Sequence, residues 1–175
     1  MKRRDPADQP VWLRPFEPSD GHAVAKVIDD PQVLRFTTWQ GPSDRAAAER
    51  LIRKANSAAS QRHRRDYQWA VIRADELVGV AGVRIESRRR REASLRAMLR
   101  RDVWGQGIGT RVVRLLMQVA FEELGMDVVF ADPRSANLAA RRALEKAGME
   151  ATERGDDRLV VYSTDREAWV ARRRS

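Results

Sequence analysis

Apolar residues recur at two different spacings along the chain, and each spacing predicts one kind of element. Alternating or short β-rich runs predict seven strands, over residues 11–16, 67–73, 77–87, 92–99, 126–132, 149–153 and 158–163. Steps of three and four, together with capping residues, predict six helices, over residues 23–28, 31–36, 43 or 44 to about 62, 107–124, 137–147 and a short segment around Trp169.

The order of these elements is β-α-α-α-β-β-β-α-β-α-β-β-α, which indicates a mixed α/β fold. We expect a mostly antiparallel central sheet flanked by helices, with one strand–helix–strand crossover. The apolar stripe of the longest late helix is predicted to be Val112, Leu115, Leu116, Val119 and Ala120. No internal repeat or linker is visible, so we expect a single domain over residues 1–175.

Composition narrows the class of protein. The chain has 175 residues, of which 42% are hydrophobic and 34% charged, as in a globular domain. It has no cysteine, which excludes a disulfide framework and a thiolate metal site. His22 and His63 are distant and lie among polar residues, so no metal is expected. No run of 18 apolar residues and no leader-like segment is present, and we expect a cytoplasmic protein without membrane contact.

The net charge of +9 is carried mostly by arginine. A basic chain is suited to a polyanion, but arginines dispersed through surface turns are more typical of a solvated face. Because no base-reading motif accompanies them, nucleic acid is an unlikely partner.

The stretch "WGQGIGT", residues 104–110, places three glycines between a predicted strand and a predicted helix. Glycine permits positive φ and close approach of a ligand to the main chain. The first N–H groups of the following helix lack intrahelical partners and attract anions, above all phosphate. A tight strand–helix turn is the alternative explanation. The spacing G-x-G-x-G differs from the dinucleotide fingerprint, and the lysine of the Walker loop is absent.

The same stretch resembles motif A of the GCN5-related N-acetyltransferase (GNAT) superfamily, which reads Gln/Arg-x-x-Gly-x-Gly/Ala. Further on, Asn137-Leu-Ala-Ala140 and Glu145-Lys-Ala-Gly-Met149 resemble the Asn-x-x-Ala/Ser and Glu-Lys-x-Gly-Phe motifs of that superfamily. The segments "VWLRPFEPSD", "FTTW" and "VVYSTDREAW" are similar to the ribosomal-protein N-acetyltransferase-like branch. The resemblance covers nearly the whole chain and implies the GNAT fold.

The resemblance implies acetyl-CoA as the cofactor. Its diphosphate would lie on the glycine loop, and its pantetheine arm would pair with the strand before the loop and with Asn137. Arginines near the loop would meet the phosphates. The implied binding residues are Met98, Leu99, Arg100, Gln106, Gly107, Ile108, Gly109, Thr110, Asn137 and Arg142.

The acid and base positions depart from the family pattern. Leu144 stands where many relatives carry a tyrosine acid, and Ala140 where others carry a serine, so Ser135 or water is left to protonate the thiolate. Many members of the branch carry a glutamate where Ser94 stands. Glu92, two residues earlier on the same strand face, is our candidate base. Lesser candidates are Glu49, Asp102 and Tyr162.

The resemblance implies a primary amine as the acceptor, either of a protein N-terminus or of a small molecule. A site that lacks the usual acid and base residues is better suited to an amine of low pKa, because more of that amine is already neutral. At pH 7 about one part in ten of an α-amine is neutral, against about one in a thousand for lysine. Thr37, Thr38 and Trp39 are the predicted acceptor wall. Relatives are often dimers, so a homodimer is possible. The alternative is a non-catalytic acyl-CoA or polyanion-binding protein that kept the fold.

Overall fold

One mixed sheet organises the chain. The structure is a computed structural model that describes residues 9–37, 43–154 and 159–174. Its strand order is β1-β2-β3-β4-β5-β7-β6, and every neighbouring pair is antiparallel except β4 and β5, which are parallel. The strands are β1 Val11–Arg14, β2 Asp66–Arg73, β3 Glu76–Ser87, β4 Glu92–Leu99, β5 Val128–Ala131, β6 Glu150–Arg154 and β7 Leu159–Asp165.

Six α-helices flank this sheet in the described residues. They are α1 Gly21–Ile28, α2 Pro31–Leu34, α3 Arg45–Ala59, α4 Ile108–Gln118, α5 Leu138–Ala147 and α6 Arg166–Arg174. Short 3₁₀ turns at Pro18–Asp20 and Arg101–Val103 precede α1 and α4. The predicted element order and the mostly antiparallel α/β fold are confirmed.

Two apolar cores lie on opposite faces of the sheet. On one face, α1 and α3 pack on β2 and β3, with Val24, Val27, Ile28 and Ile52 fully or nearly buried. On the other face, α4 and α5 pack on the middle of the sheet. Strand β4 contributes Ala93 and Leu95 to this second core, which makes it a buried wall of the α4 side.

Helix α4 differs from its prediction over residues 107–124. The α-helix ends at Gln118, and a π-helical turn follows over Val119–Glu123. The wider turn places Phe121 in the core, where its ring lies 5.2 Å from that of Trp169. In the predicted stripe, Leu115 and Val119 are only half-buried, while Val113 and Met117 are buried in their place.

Other boundaries move for local reasons. β1 ends at Arg14 rather than at residue 16, because Pro15 has no N–H to continue the ladder. Phe16 leaves the strand and is buried in the α1–α3 core. Helix α3 ends at Ala59, short of residue 62, because the following polar residues do not extend its apolar face. β7 extends to Asp165, which pairs with Val128.

A buried ion pair holds the start of α1 against β1. Asp20 is 6% exposed, and its carboxylate accepts two hydrogen bonds from Arg14, at 2.7 and 2.8 Å, and one from the Glu17 N–H. Burial alone raises the pKa of Asp20, but the hydrogen bonds from Arg14 and Glu17 and the arginine charge outweigh it, so the pKa is lowered.

We expect Asp20→Asn to lower the free energy of unfolding by about 1–3 kcal/mol, because the variant leaves the guanidinium with a neutral partner. A carboxylate with a lowered folded pKa stabilises the protein above its unfolded pKa, and this contribution is lost as the pH falls through the folded value. The difference between variant and wild type should therefore be full at pH 7 and shrink below about pH 4.

Urea unfolding at both pH values measures this difference. Glu17→Gln is the matched control: Glu17 lies 3.6 Å from the same arginine but its side chain is 59% exposed, so its loss should cost less than about 1 kcal/mol. Equal effects of the two substitutions would contradict the assignment.

Candidate functional site

Strands β4 and β5 separate part of the way along the sheet. Their parallel pairing joins Glu92 to Val128, Ala93 to Val129 and Ser94 to Phe130, and it goes no further. β4 then continues over residues 95–99, paired only with β3. A gap therefore opens beside the second half of β4.

Main-chain groups of β4 line this gap. The Arg100 N–H donates to the Val78 carbonyl at 2.8 Å, on the β3 side. Because alternate residues of a strand direct their N–H and C=O groups to alternate edges, those of Ala97 and Leu99 point towards the gap. The Leu99 carbonyl already accepts a hydrogen bond from the Trp104 indole N–H at 2.9 Å. The Ala97 groups are thus the ones offered to a ligand.

Immediately after β4, the chain forms a bare turn before α4. Gly105 and Gly107 have φ values of +75° and +76°, which disfavour other residues. A Cβ atom on either glycine would meet no atom within 4 Å, so the space in front of the turn is open. Gly107 is the N-cap of α4 and provides no side chain for the first N–H groups of the helix. The turn is a cradle for an anion.

A hydrogen-bonded chain fixes the shape of this turn. Arg73, at the end of β2 and 7% exposed, donates to Gln106 Oε1 at 2.6 Å. Gln106 Nε2 in turn donates to the Asp102 carbonyl at 2.8 Å. Gln106, predicted to bind cofactor, therefore directs its side chain into the protein and presents its main chain. Sequence reasoning missed Arg73, because 33 residues separate it from Gln106.

One of the predicted cofactor-binding arginines, Arg100, is held by carboxylates. Arg100 chelates Asp102, with Nε and Nη2 at 2.8 and 2.7 Å from its two oxygens, and lies 3.4 Å from Glu76. The hydrogen bonds from Arg100 hold the pKa of Asp102 below its usual value, despite partial burial, which acts the other way. The Arg100 side chain thus has its own counter-ions.

The remaining predicted cofactor residues lie around the gap and the turn. Met98 and Leu99 are half-buried at the end of β4, and Ile108 is buried, so only its main chain faces the cradle side. Gly109 lets α5 approach α4, since a Cβ there would lie 3.4 Å from the Ala143 Cβ. Thr110 is half-buried in the first turn of α4.

Helix α5 presents two of the predicted residues. Asn137 is its N-cap, and Oδ1 accepts from the Ala140 N–H at 3.0 Å, which leaves the amide NH₂ for a ligand. Arg142 is exposed one turn further on. Both lie on the helix that packs beside the start of α4.

The predicted catalytic and acceptor residues occupy two different places. Glu92 lies where β4 and β5 are still paired, with its side chain 17% exposed and 3.1 Å from Arg90. Ser135 is exposed in the turn between β5 and α5, where it lines a cleft of about 540 Å³ with Arg35 and Phe36. Thr37 directly follows these cleft residues. Thr38 and Trp39 lie outside the described residues.

Helix α5 supplies no acid to the gap from the usual positions. Leu144 is 5% exposed and packs in the α4 core. Tyr162 of β7, a lesser candidate, is 1% exposed; its hydroxyl donates to Glu145 at 2.9 Å and accepts from Arg141 at 3.0 Å. These hydrogen bonds connect α5 to the sheet, and they give the tyrosine at position 162 a structural role.

Comparison with known proteins identifies the family. The family model described as "Acetyltransferase (GNAT) domain" matches residues 11–150. The chain therefore belongs to the GNAT family and is an acetyl-CoA-dependent N-acetyltransferase. The uncharacterised N-acetyltransferase p20 of Bacillus licheniformis is 21% identical over 140 residues, covering 80% of this chain and 79% of the relative. The kanamycin resistance protein of Rhizobium radiobacter is 36% identical over 73 residues, covering 41% and 68% respectively.

Solved structures share the fold. Mycobacterium smegmatis RimJ in complex with CoA-disulfide is 17% identical, with a TM-score of 0.76 over 94% of this chain and 90% of that one. Aminoglycoside acetyltransferase AAC(6')-Ib in complex with coenzyme A is 20% identical, with a TM-score of 0.74 over 95% and 100%.

Within the described ranges, none of the helices has the length and apolarity needed to cross a membrane. The cytoplasmic location, the single domain over residues 1–175 and the homodimer stay predictions.

We expect Leu144→Tyr to destabilise the protein without raising its turnover. The larger side chain would overpack the core, at a cost of about 1–3 kcal/mol, which lowers the melting temperature by roughly 2–12 °C for a chain of this size. Calorimetric melting and a thiol-release assay measure the two effects.

Leu138→Tyr is the control on the same helix, because Leu138 is 57% exposed and should accept the ring with little change. A faster Leu144→Tyr enzyme that melts like wild type would show instead that residue 144 reaches the reacting sulfur.

Proposed function

We propose that this chain transfers the acetyl group of acetyl-CoA to a primary amine by direct attack, with the donor seated between the β4–β5 gap and the glycine turn. The observation that carries the proposal is the continuity of these two features. The open main-chain edge of β4 leads within a few residues to Gly105 and Gly107, whose open space accommodates a diphosphate. A ligand with an amide-bearing arm and a diphosphate matches that sequence of groups.

The diphosphate is best bound by the main chain of residues 105–110. The exposed N–H groups at the start of α4 and the positive end of the helix favour negative charge there. Arg73 adds a buried cation behind the turn. Arg142 and Arg101 are the side chains best suited to reach a phosphate, since both are exposed and no described contact neutralises them, whereas Arg100 is chelated by Asp102.

The acyl arm of the donor is best matched by β4 and α5. Ala97 offers an N–H and a C=O along the gap, and Asn137 offers the amide NH₂ that its capping role leaves over. Acetyl-CoA supplies an acetyl thioester. A β4 main-chain N–H then stabilises the negative charge that develops on the carbonyl oxygen during attack.

The departing thiolate has little need of a side chain that protonates it. A thiol has a pKa of about 8.5, so its anion is a moderate base near neutral pH. Leu144 and Ala140 provide no proton, which leaves Ser135, exposed at the start of α5, or water for this step.

The acceptor is proposed to be an amine of low pKa, either a protein α-amine or a small-molecule amine. The similarity to a kanamycin resistance protein supports a small-molecule amine. The resemblance of the sequence to the ribosomal-protein N-acetyltransferase-like branch supports a protein α-amine. The cleft lined by Arg35, Phe36 and Ser135 is where we place the acceptor. Thr37, which directly follows Phe36, belongs to the same proposed wall.

We expect thiol release from acetyl-CoA when the protein is mixed with kanamycin or with a tetrapeptide that has a free N-terminal serine. A lysine ε-amine presented in an N-blocked peptide should react up to about 100-fold more slowly at pH 7, because less of it is neutral. The chain has no cysteine, so a thiol reagent reports coenzyme A alone. Calorimetric binding of acetyl-CoA without release of thiol to any of the amines would contradict the proposal.

We expect Gly107→Asp to weaken acetyl-CoA binding at least tenfold, or about 1.4 kcal/mol, because it places a carboxylate where the diphosphate lies. Titration calorimetry measures the affinity.

Gly107→Asn is the matched control. Its side chain has nearly the same size and a similar tolerance of positive φ, but it carries no charge. The asparagine variant should bind more tightly than the aspartate variant. Equal affinities in the two folded variants would locate the diphosphate elsewhere.

A further inference from the structure

A cluster of polar side chains lies on the sheet face opposite α4. Ala93 and Leu95 of β4 point into the α4 core, so Ser94 and Arg96, which alternate with them, point to the other face. Among the described residues, helices α1 and α3 cover the part of this face that carries Ala70, Ile72, Leu77, Val80 and Met98. The uncovered part carries the open-face cluster, which consists of Asp66, Arg84, Glu86, Ser94 and Arg96.

Within the open-face cluster, Glu86 has a distinctive partner. The Ser94 hydroxyl donates to Glu86 Oε1 at 2.7 Å, whereas the nearest cation, Arg84 Nε, lies 3.6 Å from the same oxygen. Asp66, by contrast, accepts a 2.5 Å hydrogen bond from Arg96. Both described contacts of the Glu86 carboxylate use Oε1, so Oε2 is the oxygen that faces away from them.

A β-bulge explains why Glu86 reaches Ser94. In the β3–β4 ladder Ile85 pairs with Ala93 and Ser87 with Glu92, so Glu86 is the extra residue of β3. A bulge bends the strand locally and redirects the side chain of the extra residue, and bulges are frequent beside active sites.

The hydrogen bond to Ser94 places the carboxylate at the closed end of the gap. Ser94 is the last residue of β4 that pairs with β5, and it is 7% exposed. The Glu86 side chain is 36% exposed. The carboxylate thus connects the buried end of the gap with the solvent on the face opposite α4.

Glu92 is less well placed for the same task. It lies two residues before Ser94, about 6–7 Å further into the paired part of the strands. Its carboxylate is 3.1 Å from Arg90, and its side chain is only 17% exposed.

We infer that Glu86 is the general base of the acetyl transfer, and that Ser94 is the residue that positions it. This inference rests on the proposed transfer to an amine through the β4–β5 gap. The glycine turn and α4 lie on one side of the sheet and Glu86 on the other, so the donor and the acceptor amine reach the gap from opposite faces.

The step balances without a further reactant. As the amine nitrogen forms a bond to the acetyl carbon and the carbon–sulfur bond breaks, a proton of the nitrogen passes to the Glu86 carboxylate, directly or through one water. The thiolate leaves with the electron pair of the broken bond, and the glutamic acid returns its proton to solvent. The charged groups beside this carboxylate are Arg84 on the same strand, which contacts it, and Asp66 and Arg96 on the neighbouring strands β2 and β4.

The first test compares Glu86→Gln with Glu150→Gln, a glutamate on the edge strand β6, three strands from β4, that pairs with Arg172. Thiol release with kanamycin and with the N-terminal serine tetrapeptide is followed from pH 6 to pH 9. Glu86→Gln should lower turnover at pH 7 at least 100-fold, with a smaller loss at pH 9, where more amine is already neutral. Its acetyl-CoA affinity and melting temperature should match those of wild type, and Glu150→Gln should match wild type throughout.

The second test uses Ser94→Ala, which removes the hydrogen bond but keeps the carboxylate. It should reduce turnover less than Glu86→Gln does and change the shape of the pH profile, with unaltered acetyl-CoA affinity. If the Glu86→Gln variant melts well below wild type, the pH profile of turnover of Ser94→Ala is the deciding measurement. A Ser94→Ala profile identical to that of wild type would overturn the inference.

Three further results would overturn it. One is wild-type turnover and pH profile in a folded Glu86→Gln variant. Another is a pH-dependent loss in Glu92→Gln alone, which would return the role of base to Glu92. The last is a wild-type protein that binds acetyl-CoA but releases thiol with neither acceptor, which would remove the proposed function together with its base.

Discussion

The unequal length of two neighbouring strands governs the site. β4 runs for eight residues, whereas β5 has four and is followed closely by Pro133, which has no N–H to extend a ladder. Three paired positions hold the strands together, and in the part of the chain that the structure describes no strand lies beside the edge of β4 beyond Ser94. Polar main-chain groups inside a fold require partners, so this edge is prepared for a ligand that brings amide groups of its own.

Net charge contributes less to the site than its value of +9 suggests. Arg100 is chelated by Asp102, and Arg73 is directed to Gln106, so neither guanidinium points outward at the turn. What remains at the turn is the field of a helix end and a row of N–H groups, together with the exposed Arg101 before the turn and the exposed Arg142 on α5. Such a site holds its shape before the ligand arrives, because the groups that bind belong to the backbone.

Periodicity and capping residues were sufficient to predict the elements and their order, because most elements bury one apolar face and the spacing of their apolar residues shows this. The glycine turn could also be predicted, because a positive φ angle favours glycine at particular positions of the sequence. The Arg73–Gln106 and Ser94–Glu86 contacts could not be predicted from the sequence. The first joins a strand to a turn, and the second joins two strands. The second contact depends in addition on a bulge at Glu86, and a one-residue change of register leaves no sign in the alternation of a mostly buried strand.

The short pairing between β4 and β5, of three positions, also separates the part of the sheet that is synthesised first from the part that is synthesised later. β1 to β4 pair consecutively within residues 11–99, while β5, β7 and β6 form a second group from residue 128 onwards. Contacts between neighbouring hairpins form early, and contacts between distant segments form late. The first group can be complete while the second is still emerging from the ribosome. The gap in which we propose that acetyl-CoA binds is therefore among the last features of the molecule to form.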